Sequence, residues 1–442
     1  MQDSMTATYN AACRESERGA FDLTRGIVER LPWVEENRLL PRPFFVSQNE
    51  MLRCVSDLTD LFHIMTQLPD RLFGGDRDAY CKALGLEPEK MAMFQRFAGP
   101  PDLYGRADLY HDGQSFKLLE FNIHSALGGV ITSEVSIDHL RNERFREFSV
   151  ERELTHVHTG ENLARCLLLA ASTIVTGGSA TIALIEGNGE IEKYLHEYRS
   201  LQDCLRKFGV DLILGTLEEI ENRNGKLFLR GQRVHVVLRY FSDPDVFCDS
   251  RSVRAVEEII RSHELGNVVL WTTPQSGLFH NKRCLAMLSG SADGPAFSHA
   301  ERLLIDRMIP WTRILDSNSI GVHEACMEDQ ENLIVKPGSS HGGQGCVAGW
   351  EVSRDEWRQV LSAGAAAGHV VQRRVIPRPE EVIDPVSGAA TSWDAVWSPF
   401  LMPHGYAGAF VRAVPTGVNG VINMGSSGGT RTAGVFEYPV NS

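Results

Sequence analysis

The sequence has no long hydrophobic run and no paired cysteines, and both absences narrow its class. The most apolar stretch, Cys166 to Val175, is far too short to span a bilayer, and residues 1–19 are polar and mixed in charge, unlike a signal peptide. Nine cysteines are scattered without a CxxC pair, which argues against a disulfide framework or a zinc site. We therefore predict a cytoplasmic protein with reduced thiols and no membrane partner.

Positive charge is also scarce. The chain has 44 lysines and arginines against 57 aspartates and glutamates, a net charge of −13. Such a balance argues against a nucleic-acid partner, although a local basic groove stays open. The apolar fraction of 43% and the charged fraction of 23% are ordinary for a globular protein. Because 442 residues are too many for one core, about two or three domains are predicted.

Familiar cofactor and nucleophile motifs are missing as well. The chain has no GxxxxGK[ST] order, because Lys336 precedes the glycines that follow it. The GNG at 187–189 lacks the third glycine of a dinucleotide-binding loop, which argues against NAD. Cys346 has no base near it in the sequence, so we predict a core residue in a buried strand, not a nucleophile.

What the chain does contain is a lysine followed by a glycine-rich loop, in the segment NLIVKPGSSHGGQGCVAGW at 332–350. The apolar run 333–335 is typical of a buried strand, and Lys336 stands at its end. Glycines allow backbone N–H groups to approach phosphate oxygens, and the lysine adds a point charge, so a triphosphate site is one interpretation. A mobile hairpin between two strands is the other.

A β-hairpin with an Asp-Gly turn is predicted over residues 103–123. Arg106 and Asp108 lie on one face of its first strand by the two-residue period, and Glu120 and Asn122 share a face of the second. A connection with an odd number of residues puts all four side chains on the same face, whereas a two-residue loop puts the pairs on opposite faces. The sequence leaves that choice open.

Three regions are predicted from composition and periodicity. Residues 1–150 are mainly helical and include the hairpin, 151–275 alternate strands and helices as in a parallel Rossmann-like sheet, and 276–442 are rich in glycine and strands. Ser47 and Glu50 form an S-x-x-E capping box. The apolar stripe that follows is predicted to face the core: Leu52, Val55, Leu58, Leu61, Phe62, Met65 and Leu68.

Oxygen ligands gather on the hairpin. Asp108, Glu120 and Asn122 offer two carboxylates and an amide, which suit Mg²⁺, an ion that also takes oxygens from substrate phosphates. For each acid alone, a solvated strand face is the commoner explanation. The coincidence with the lysine and its glycine-rich loop favours the metal site.

These motifs together resemble the ATP-grasp superfamily of carboxylate–amine ligases. The stretch RADLYHDGQSFKLLEFN at 106–122 is similar to the R-x-D…LLE-x-N segment of glutathionylspermidine synthase. The similarity continues at Lys282 in HNK, at Lys336 in IVKP, in VQ at 371–372 and at Arg412 in FVR. Because the E-x-N strand precedes the lysine loop, the order looks like that of a circularly permuted ATP-grasp fold. The layout also resembles pheganomycin-type peptide ligases of antibiotic biosynthesis.

The resemblance implies a mixed α/β (α+β) fold, with a Rossmann-like αβ middle domain and a helical N-terminal region. One loop departs from it: IHSALGG at 123–129 stands where glutathionylspermidine synthase has an Asp-Thr-Pro-Thr-Ser-type loop. No glutathione or spermidine substrate is therefore inferred.

The resemblance also assigns roles to residues, with ATP and Mg²⁺ as cofactors. ATP would be bound by Lys282, Lys336, Gly338, Ser339, Ser340, Gly342, Gly343, Gln372, Arg373 and Val375. Mg²⁺ would be held by Asp108, Glu120 and Asn122, and the catalytic residues that stabilise the transferring phosphoryl group would be Arg106 and Arg412. The candidates for the substrate site are His124, Ser125 and Arg239. The alternatives are a loop hydrogen bond for the first two and a surface ion pair for Arg239.

The implied activity is ATP-dependent formation of an amide or peptide bond through an acyl phosphate, with release of ADP and phosphate. The predicted partners are a small-molecule acid and amine, such as amino acids or short peptides, and a second copy of the chain in a homodimer. Two alternatives stay open: another phosphotransferase on the ATP-grasp fold, and a nucleotide-binding regulator without turnover. The sequence names neither the acid nor the amine.

Overall fold

The computed structural model describes residues 3–97, 99–316, 320–340, 342–418, 420–422, 424 and 429–439. Over these ranges helices and strands form a mixed α/β fold, in agreement with the sequence-based prediction. His341 of the predicted phosphate loop, and part of the glycine-rich tail at 417–434, lie outside the described residues.

Helices occur in every region of the described chain. They are α1 (Ser4–Glu15), α2 (Ile27–Arg30), α3 (Gln48–Thr66), α4 (Leu68–Phe73), α5 (Arg77–Ala83), α6 (Pro88–Gln95), α7 (Ser133–His139), α8 (Glu143–Glu151), α9 (Thr159–Ser172), α10 (Glu190–Arg206), α11 (Asp243–Phe247), α12 (Ser250–Glu264), α13 (Gly277–His280), α14 (Arg283–Ser291), α15 (His299–Met308), α16 (Ile320–Glu328) and α17 (Arg354–Ala367).

Strands are concentrated in the middle and C-terminal regions. They are β1 (Phe44–Ser47), β2 (Gly105–His111), β3 (Phe116–Asn122), β4 (Ile182–Glu186), β5 (Leu212–Thr216), β6 (Ile220–Arg223), β7 (Lys226–Leu229), β8 (Gln232–Arg233), β9 (Val236–Arg239), β10 (Val269–Trp271), β11 (Thr312–Ile314), β12 (Leu333–Lys336), β13 (Val347–Ala348), β14 (Val370–Arg373), β15 (Glu380–Ile383), β16 (Ala390–Met402), β17 (Gly405–Pro415), β18 (Arg431–Thr432) and β19 (Val435–Tyr438).

The long helix α3 of the N-terminal region packs on the core through most of the predicted stripe. The almost fully buried residues of the stripe on α3 are Val55, Leu58, Leu61, Phe62 and Met65, and the last residue of the stripe, Leu68, is buried at the start of α4. Leu52 is 56% exposed, contrary to prediction, because Met51, one position earlier, takes the core-facing place. The capping box is also wrong: Ser47 is the N-cap without a side-chain hydrogen bond, and the Glu50 carboxylate lies 2.8 Å from His111 Nε2 instead.

The predicted hairpin is present as β2 and β3, and a bulge decides which side chains share a face. The connection spans residues 112–115, an even number that alone would set the two pairs on opposite faces. The register shifts by one after Asp108, which leaves Leu119 without a partner on β2. Asp108 therefore lies opposite Glu120, and Arg106 lies opposite Asn122. The shared face is as predicted, but a bulge and not the turn produces it.

The hairpin belongs to a sheet built from distant parts of the chain. β2 pairs antiparallel with β16, which pairs with β17, and the sheet order is β18-β17-β16-β2-β3 with β15 also on β16. A separate parallel pair, β1 with β19, joins residues 44–47 to 435–438. The N-terminal hairpin thus docks directly beside the C-terminal strands, as the reversed motif order predicts.

The middle region contains a parallel sheet of order β10-β9-β4-β5 with α9 and α10 packed on it. Its strands read as apolar runs because both faces are covered: Ile182 to Ile185 are at most 1% exposed. β9 ends at Arg239, at the edge where open α/β sheets bind ligands. The predicted αβ alternation is confirmed here.

A smaller antiparallel sheet of order β11-β14-β12-β13 carries Lys336 at the end of β12. Its own core lies beneath α17, where Trp357 is fully buried and its indole N–H donates to the Cys326 carbonyl at 2.9 Å.

All nine cysteines are free thiols. In the described part of the chain, no helix combines the length and apolar character needed to cross a bilayer.

Candidate functional site

A cavity of about 810 Å³ lies between the large sheet and the small antiparallel sheet. One wall comes from β2, β3, β16 and β17, and the other from β12 and β14; α10 and the segment after β9 reach its edge. The predicted site residues that line it are Arg106, Asp108, Glu120, Asn122, His124, Lys336, Gly342, Gly343, Gln372, Arg373, Val375 and Arg412. The predicted site residues outside the lining are Ser125, Arg239, Lys282, Gly338, Ser339 and Ser340.

Asp108 is a buried and strongly held acid on the cavity wall. It is 5% exposed, its Oδ1 accepts from Ser398 Oγ at 2.7 Å, and Arg412 and Arg106 contact the same oxygen at 2.8 and 3.1 Å. Burial opposes its ionisation, but the charges of Arg106 and Arg412 outweigh burial and hold the pKa of Asp108 far below its usual range. Asp108 is therefore a fixed carboxylate at neutral pH.

Glu120 and Asn122 stand beside Asp108 on the neighbouring strand. Asn122 Nδ2 lies 3.3 Å from Asp108 Oδ2 and 3.2 Å from Glu120 Oε1, so one amide group spans two carboxylates. In this orientation the amide NH₂ group donates to both carboxylates. If the amide were flipped, its oxygen would face the carboxylates and could act as a third oxygen ligand for a cation. This set of hard oxygen donors fits Mg²⁺.

Lys282 connects the cluster of oxygen ligands, Asp108, Glu120 and Asn122, to the predicted phosphate loop. Its Nζ lies 3.2 Å from Glu120 Oε2 and donates to the Ser340 carbonyl at 3.0 Å, while its backbone N–H donates to the Gly338 carbonyl at 2.9 Å. Ser339, between these two contacts, is exposed. Lys282 therefore reaches the cluster although it does not line the cavity itself.

Lys336 approaches the same cluster from the small sheet. It is 9% exposed, and its Nζ donates to Gln372 Oε1 at 2.6 Å and to the Leu119 carbonyl at 3.3 Å. Leu119 is the bulged residue of β3, so the bulge also aims a carbonyl at this lysine. Burial lowers the pKa of Lys336. Its hydrogen-bond partners are neutral oxygens, and an incoming anion would complete its electrostatic environment.

The glycine-rich loop between β12 and β13 needs its glycines for conformation. Gly342, Gly343 and Gly345 have φ of +63°, +75° and +72°, a region that L side chains rarely adopt. A Cβ added at Gly343 would lie 2.8 Å from Val421 Cγ1, so the loop rests against the C-terminal segment. Gly342, Gly343 and Val421 all line the cavity, so the loop forms part of its wall.

Cys346 corrects a prediction. It was expected in a buried strand, but β13 begins at Val347, and Cys346 is half-buried and lines the cavity. The positive φ of Gly345 keeps the preceding chain out of the strand ladder. Burial raises the pKa of the thiol even though Lys336 acts in the opposite direction, so Cys346 is a protonated thiol and not an activated nucleophile.

Gln372 is the polar centre of the small sheet's cavity face. It is 2% exposed, and its Nε2 donates to Thr312 Oγ1 at 3.1 Å while its Oε1 accepts from Lys336. Arg373 directs its guanidinium to Asp329 at 3.2 Å, away from that network. β14 ends at Arg373, and the cavity lining continues through Val375.

Sequence reasoning missed the apolar part of the wall. A hydrophobic cluster on the cavity face comprises Tyr110, Val396, Val414 and Ile422. Nearby, the Arg374 guanidinium lies 3.9 Å from the Trp350 ring centroid, and both residues also line the cavity. No signal in one sequence separates a valine that faces a cavity from one that faces the core.

The three candidate substrate residues divide into a buried pair and one cavity residue. Ser125 is fully buried and its hydroxyl donates to the Arg239 carbonyl, which agrees with the loop hydrogen bond named as the alternative. Arg239 is 3% exposed, so a surface ion pair is wrong. Its guanidinium donates to the carbonyls of Thr272 and Phe241 at 2.8 and 3.3 Å and also to Ser276 Oγ at 3.1 Å.

His124 connects Arg239 to the cavity. Its Nε2 lies 3.4 Å from Arg239 Nη1, and its Nδ1 accepts from the Ala126 N–H at 3.0 Å. Burial lowers the pKa of Arg239 to about 10, so the guanidinium is still charged at neutral pH. The structure therefore sets a buried cation immediately behind a cavity-lining imidazole.

Ser398 and Phe410 support the arginine pair and were not predicted. Ser398 Oγ accepts from Arg412 at 3.0 Å while it donates to Asp108. The guanidinium carbons of Arg106 and Arg412 lie 5.9 and 5.4 Å from the Phe410 ring centroid. The alternation of Phe410 with Arg412 was a usable signal, since residues two apart on a strand share a face.

No protein-family model matches the chain, and no curated protein matches its sequence. Among solved structures, a glutathione synthetase-like effector from Globodera pallida is similar with a TM-score of 0.58 and 13% identity, covering 96% of this chain and 98% of that one. A protein assigned as a gamma-glutamylcysteine synthetase from Methylobacillus flagellatus gives 0.42 at 14% identity, over 85% and 88% of the two chains. D-alanyl-alanine synthetase A from Vibrio cholerae gives 0.34 at 14%, over 58% and 74%.

The likeness to the Globodera protein shows a shared fold. It extends over nearly all of both chains, so the two proteins share one arrangement of helices and sheets. The predicted mixed α/β fold agrees with this likeness. An identity of 13% transfers no substrate from one protein to the other.

Proposed function

We propose that the protein is an ATP-dependent ligase that joins a small carboxylic acid to a small amine, such as amino acids or short peptides. The observation that carries this proposal is the convergence at one cavity of an oxygen ligand set, Lys336 and two arginines in its lining, with Lys282 beside the cavity in contact with Glu120. ATP would phosphorylate the acid to an acyl phosphate with release of ADP, and the amine would then attack the acyl carbon and displace phosphate. The reversed order of the motifs supports a circularly permuted ATP-grasp fold.

Asp108, Glu120 and Asn122 would hold Mg²⁺, which when bound offsets the charge of the phosphate oxygens. Lys282 and Lys336 would bind the phosphates themselves. Lys336 suits this role because it is a buried cation with neutral partners, and a phosphate oxygen would be a stronger partner than an amide carbonyl.

The arginine pair would stabilise negative charge on the transferring phosphoryl group. Arg106 and Arg412 are held by Asp108 before any substrate arrives, so little reorganisation is needed at the moment of reaction. One arginine in such a place can be worth ~10³-fold in rate. Their shared contact with Phe410 fixes the direction of both guanidinium groups.

The adenine ring would lie on the apolar wall formed by Tyr110, Val396 and Val414. Backbone groups of residues 373–375 would meet its polar edge, because the strand ladder ends at Arg373. The substrate acid would lie near His124, with Arg239 behind it as the balancing cation. We further propose a cytoplasmic location, which the nine free thiols favour, and leave a homodimer as a prediction.

The decisive experiment is a phosphate-release screen of amino acids and short peptides as acids against amino acids and amines, with mass detection of the product. Glu120→Gln keeps the shape of the side chain but removes a charged ligand, so we expect turnover to be abolished while the fold is retained. Glu381→Gln is a matched control, because Glu381 lies on β15 of the same sheet and pairs with Arg14 near the surface.

Near-normal turnover of the Glu120→Gln variant at saturating Mg²⁺ would contradict the metal site. A phosphorylated product without an amide would support a phosphotransferase instead, and ATP binding without turnover on any pair would support a regulator.

A further inference from the structure

Three side chains with soft or nitrogen donors meet where α9 packs against the turn of the β16–β17 hairpin. Cys166 Sγ lies 3.8 Å from Met402 Sδ and 3.4 Å from His404 Nδ1. Cys166 is 4% exposed and Met402 is fully buried, whereas His404 is exposed at the two-residue turn. The three donors are therefore buried on one side and open to solvent at the imidazole.

Asn162 decides which nitrogen of His404 is free to bind. Asn162 lies one helical turn before Cys166, and its Nδ2 donates to the His158 carbonyl at 3.1 Å. That contact requires Oδ1 to be the atom that lies 2.8 Å from His404 Nε2, so Nε2 carries the proton. His404 Nδ1 consequently presents its lone pair toward the sulfur of Cys166.

This is the arrangement of a metal-binding histidine, in which the second ring nitrogen donates to an oxygen that fixes the tautomer and the ring orientation. A metal about 2.3 Å from sulfur and about 2.0 Å from nitrogen holds these donors roughly 3.5–3.9 Å apart. The observed separations of 3.8 and 3.4 Å are close to that spacing without movement of the backbone.

We propose that Cys166, Met402 and His404 form a binding site for a soft monovalent cation, Cu(I). A thiolate and a thioether together select Cu(I), since a thioether is a poor ligand for Mg²⁺ or Zn²⁺. Binding breaks the S–H bond of Cys166, forms a Cu–S bond and releases one proton to solvent, with no change of oxidation state. Asn162 is a positioning residue for His404 and does not contact the ion.

The Cys–His–Asn set also resembles the residues of a thiol nucleophile, but its surroundings do not suit that role. Cys166 lies in the middle of α9, away from the helix N-terminus that would favour a thiolate. It does not line the large cavity, so no substrate space described in the structure adjoins the sulfur.

A second buried cluster provides a contrast within the same protein. Glu134, His158 and Cys204 also bring donor atoms together. His158 Nδ1 accepts from the Glu161 N–H at 3.0 Å, so Nε2 carries the proton that it directs to Glu134 Oε1 at 3.1 Å. No ring lone pair is left for a metal, and we expect this cluster to stay metal-free.

The site would connect two parts of the fold. α9 belongs to the middle region, whereas β17, which follows the His404 turn, carries Arg412 of the candidate active site. An ion held between them would restrain the hairpin against the helix. We therefore expect Cu(I) to raise the thermal stability of the folded protein.

The test uses the full chain with Cys248→Ser and Cys346→Ser, which removes the two cysteines that are not buried. This parent is titrated anaerobically with Cu(I) in competition with bicinchoninate, and its melting temperature and X-ray absorption spectrum are recorded. We expect one equivalent to be retained, with two sulfur ligands and one nitrogen ligand, and a rise of several degrees in the melting temperature.

Cys166→Ser should abolish retention, and Asn162→Ala should weaken it about 10- to 100-fold, the usual effect of removing such a positioning contact. Met402→Leu conserves core volume and should lower affinity and the sulfur count while the protein stays folded. Cys204→Ser is the matched buried-thiol control and should bind as the parent does. Unchanged binding in both Cys166→Ser and Met402→Leu, or retention of Zn²⁺ but not of Cu(I) by the parent, would overturn the proposal.

Discussion

Two buried arginines near the candidate site, Arg412 and Arg239, are held in opposite ways. Arg412 is 7% exposed and contacts the Asp108 carboxylate at 2.8 Å. Arg239 is 3% exposed and donates to carbonyl and hydroxyl oxygens at 2.8 to 3.3 Å. One charge is balanced inside the protein, whereas the other is solvated by neutral dipoles.

The difference shows what each end of the cavity is ready to receive. A paired arginine is fixed in direction before the substrate binds, which suits a group that must act only as charge develops. An arginine with neutral partners keeps an unbalanced charge in a low-dielectric place, and a bound carboxylate would relieve that penalty. Under the proposed function, the phosphate end is therefore prearranged, and the end near Arg239 would be completed by the substrate acid.

The largest effect should come from removing the counter-charge at the paired end. Asp108→Asn leaves the buried Arg412 and the half-buried Arg106 without a carboxylate, and breaking a buried pair costs about 3–5 kcal/mol of unfolding free energy. Urea denaturation measures it. The matched control is Glu381→Gln, which breaks the exposed Arg14 pair and should cost about 1 kcal/mol or less. Equal losses of unfolding free energy in the two variants would show that the Asp108 carboxylate stabilises the fold no more than a surface ion pair does.

Acid should reproduce that loss in the wild-type protein. The pKa of Asp108 is depressed in the folded state by Arg106 and Arg412 in spite of burial, whereas an unfolded aspartate titrates near 4. A depressed carboxyl pKa gives stability that is complete above the unfolded pKa and is lost as the pH falls below it. The difference in unfolding free energy between wild type and Asp108→Asn should shrink as the pH drops from about 6 to about 3. A difference that stays constant over this range would refute the assignment.

The unpaired end should respond through substrate binding. Arg239→Met removes the cation behind His124, and loss of a charge-assisted contact of about 1.5–3 kcal/mol should raise the KM for the acid roughly 10- to 100-fold. The KM for ATP should change little, and Arg239→Lys should restore part of the loss because it keeps the charge. Steady-state kinetics with each substrate varied in turn test this once an acid has been found. A rise in the KM for ATP alone would assign Arg239 to the wrong end.

The smallest effect is expected at the loop that covers the phosphate end. Alanine at Gly342 and Gly343 forces side chains into a left-handed conformation at roughly 1–2 kcal/mol each, which should hinder closure. Water would then intercept more of the acyl phosphate, so the ratio of amide to phosphate should fall. Gly388→Ala is the matched control, since Gly388 also has a positive φ but lies in open space. An unchanged ratio would mean that the glycines serve only the turn.

The sequence was sufficient to group the charged residues but not to explain their geometry. Asp108 and Glu120 share a face as one prediction allowed, yet the connection has an even number of residues, and the bulge at Leu119 restores the match. The Leu119 carbonyl accepts from Lys336, which lies 217 positions away, and hairpin periodicity contains no information about such a contact. The same limit explains Glu50, whose partner His111 lies 61 positions away.

Burial was the second quantity that local patterns could not supply. Arg239 was expected at the surface because arginine at a strand end usually lies there, but its side-chain contacts come from three segments of the chain, at 124, 241 and 272–276, and leave it buried. Cys346 reads as core because valine follows it. Motif spacing predicted the charged members of the site, since phosphate and metal chemistry restrict residue type. Motif spacing did not predict Trp350 or Val396, because an apolar cavity wall can be built from many residue types.

The parallel pairing of β1 with β19 has a consequence for how the protein is made. Residues 44–47 pair with residues 435–438, and the hairpin at 105–122 pairs with the strand at 390–402. Both segments therefore lack these partners until the later residues have been synthesised. Contacts separated by so much chain form late and fold slowly. For most of synthesis, Asp108 and Glu120 are therefore present in the nascent chain without the remaining strands of their sheet. The lining of the candidate cavity includes residues of β16 and β17, so this cavity cannot form before the chain has been synthesised through β17.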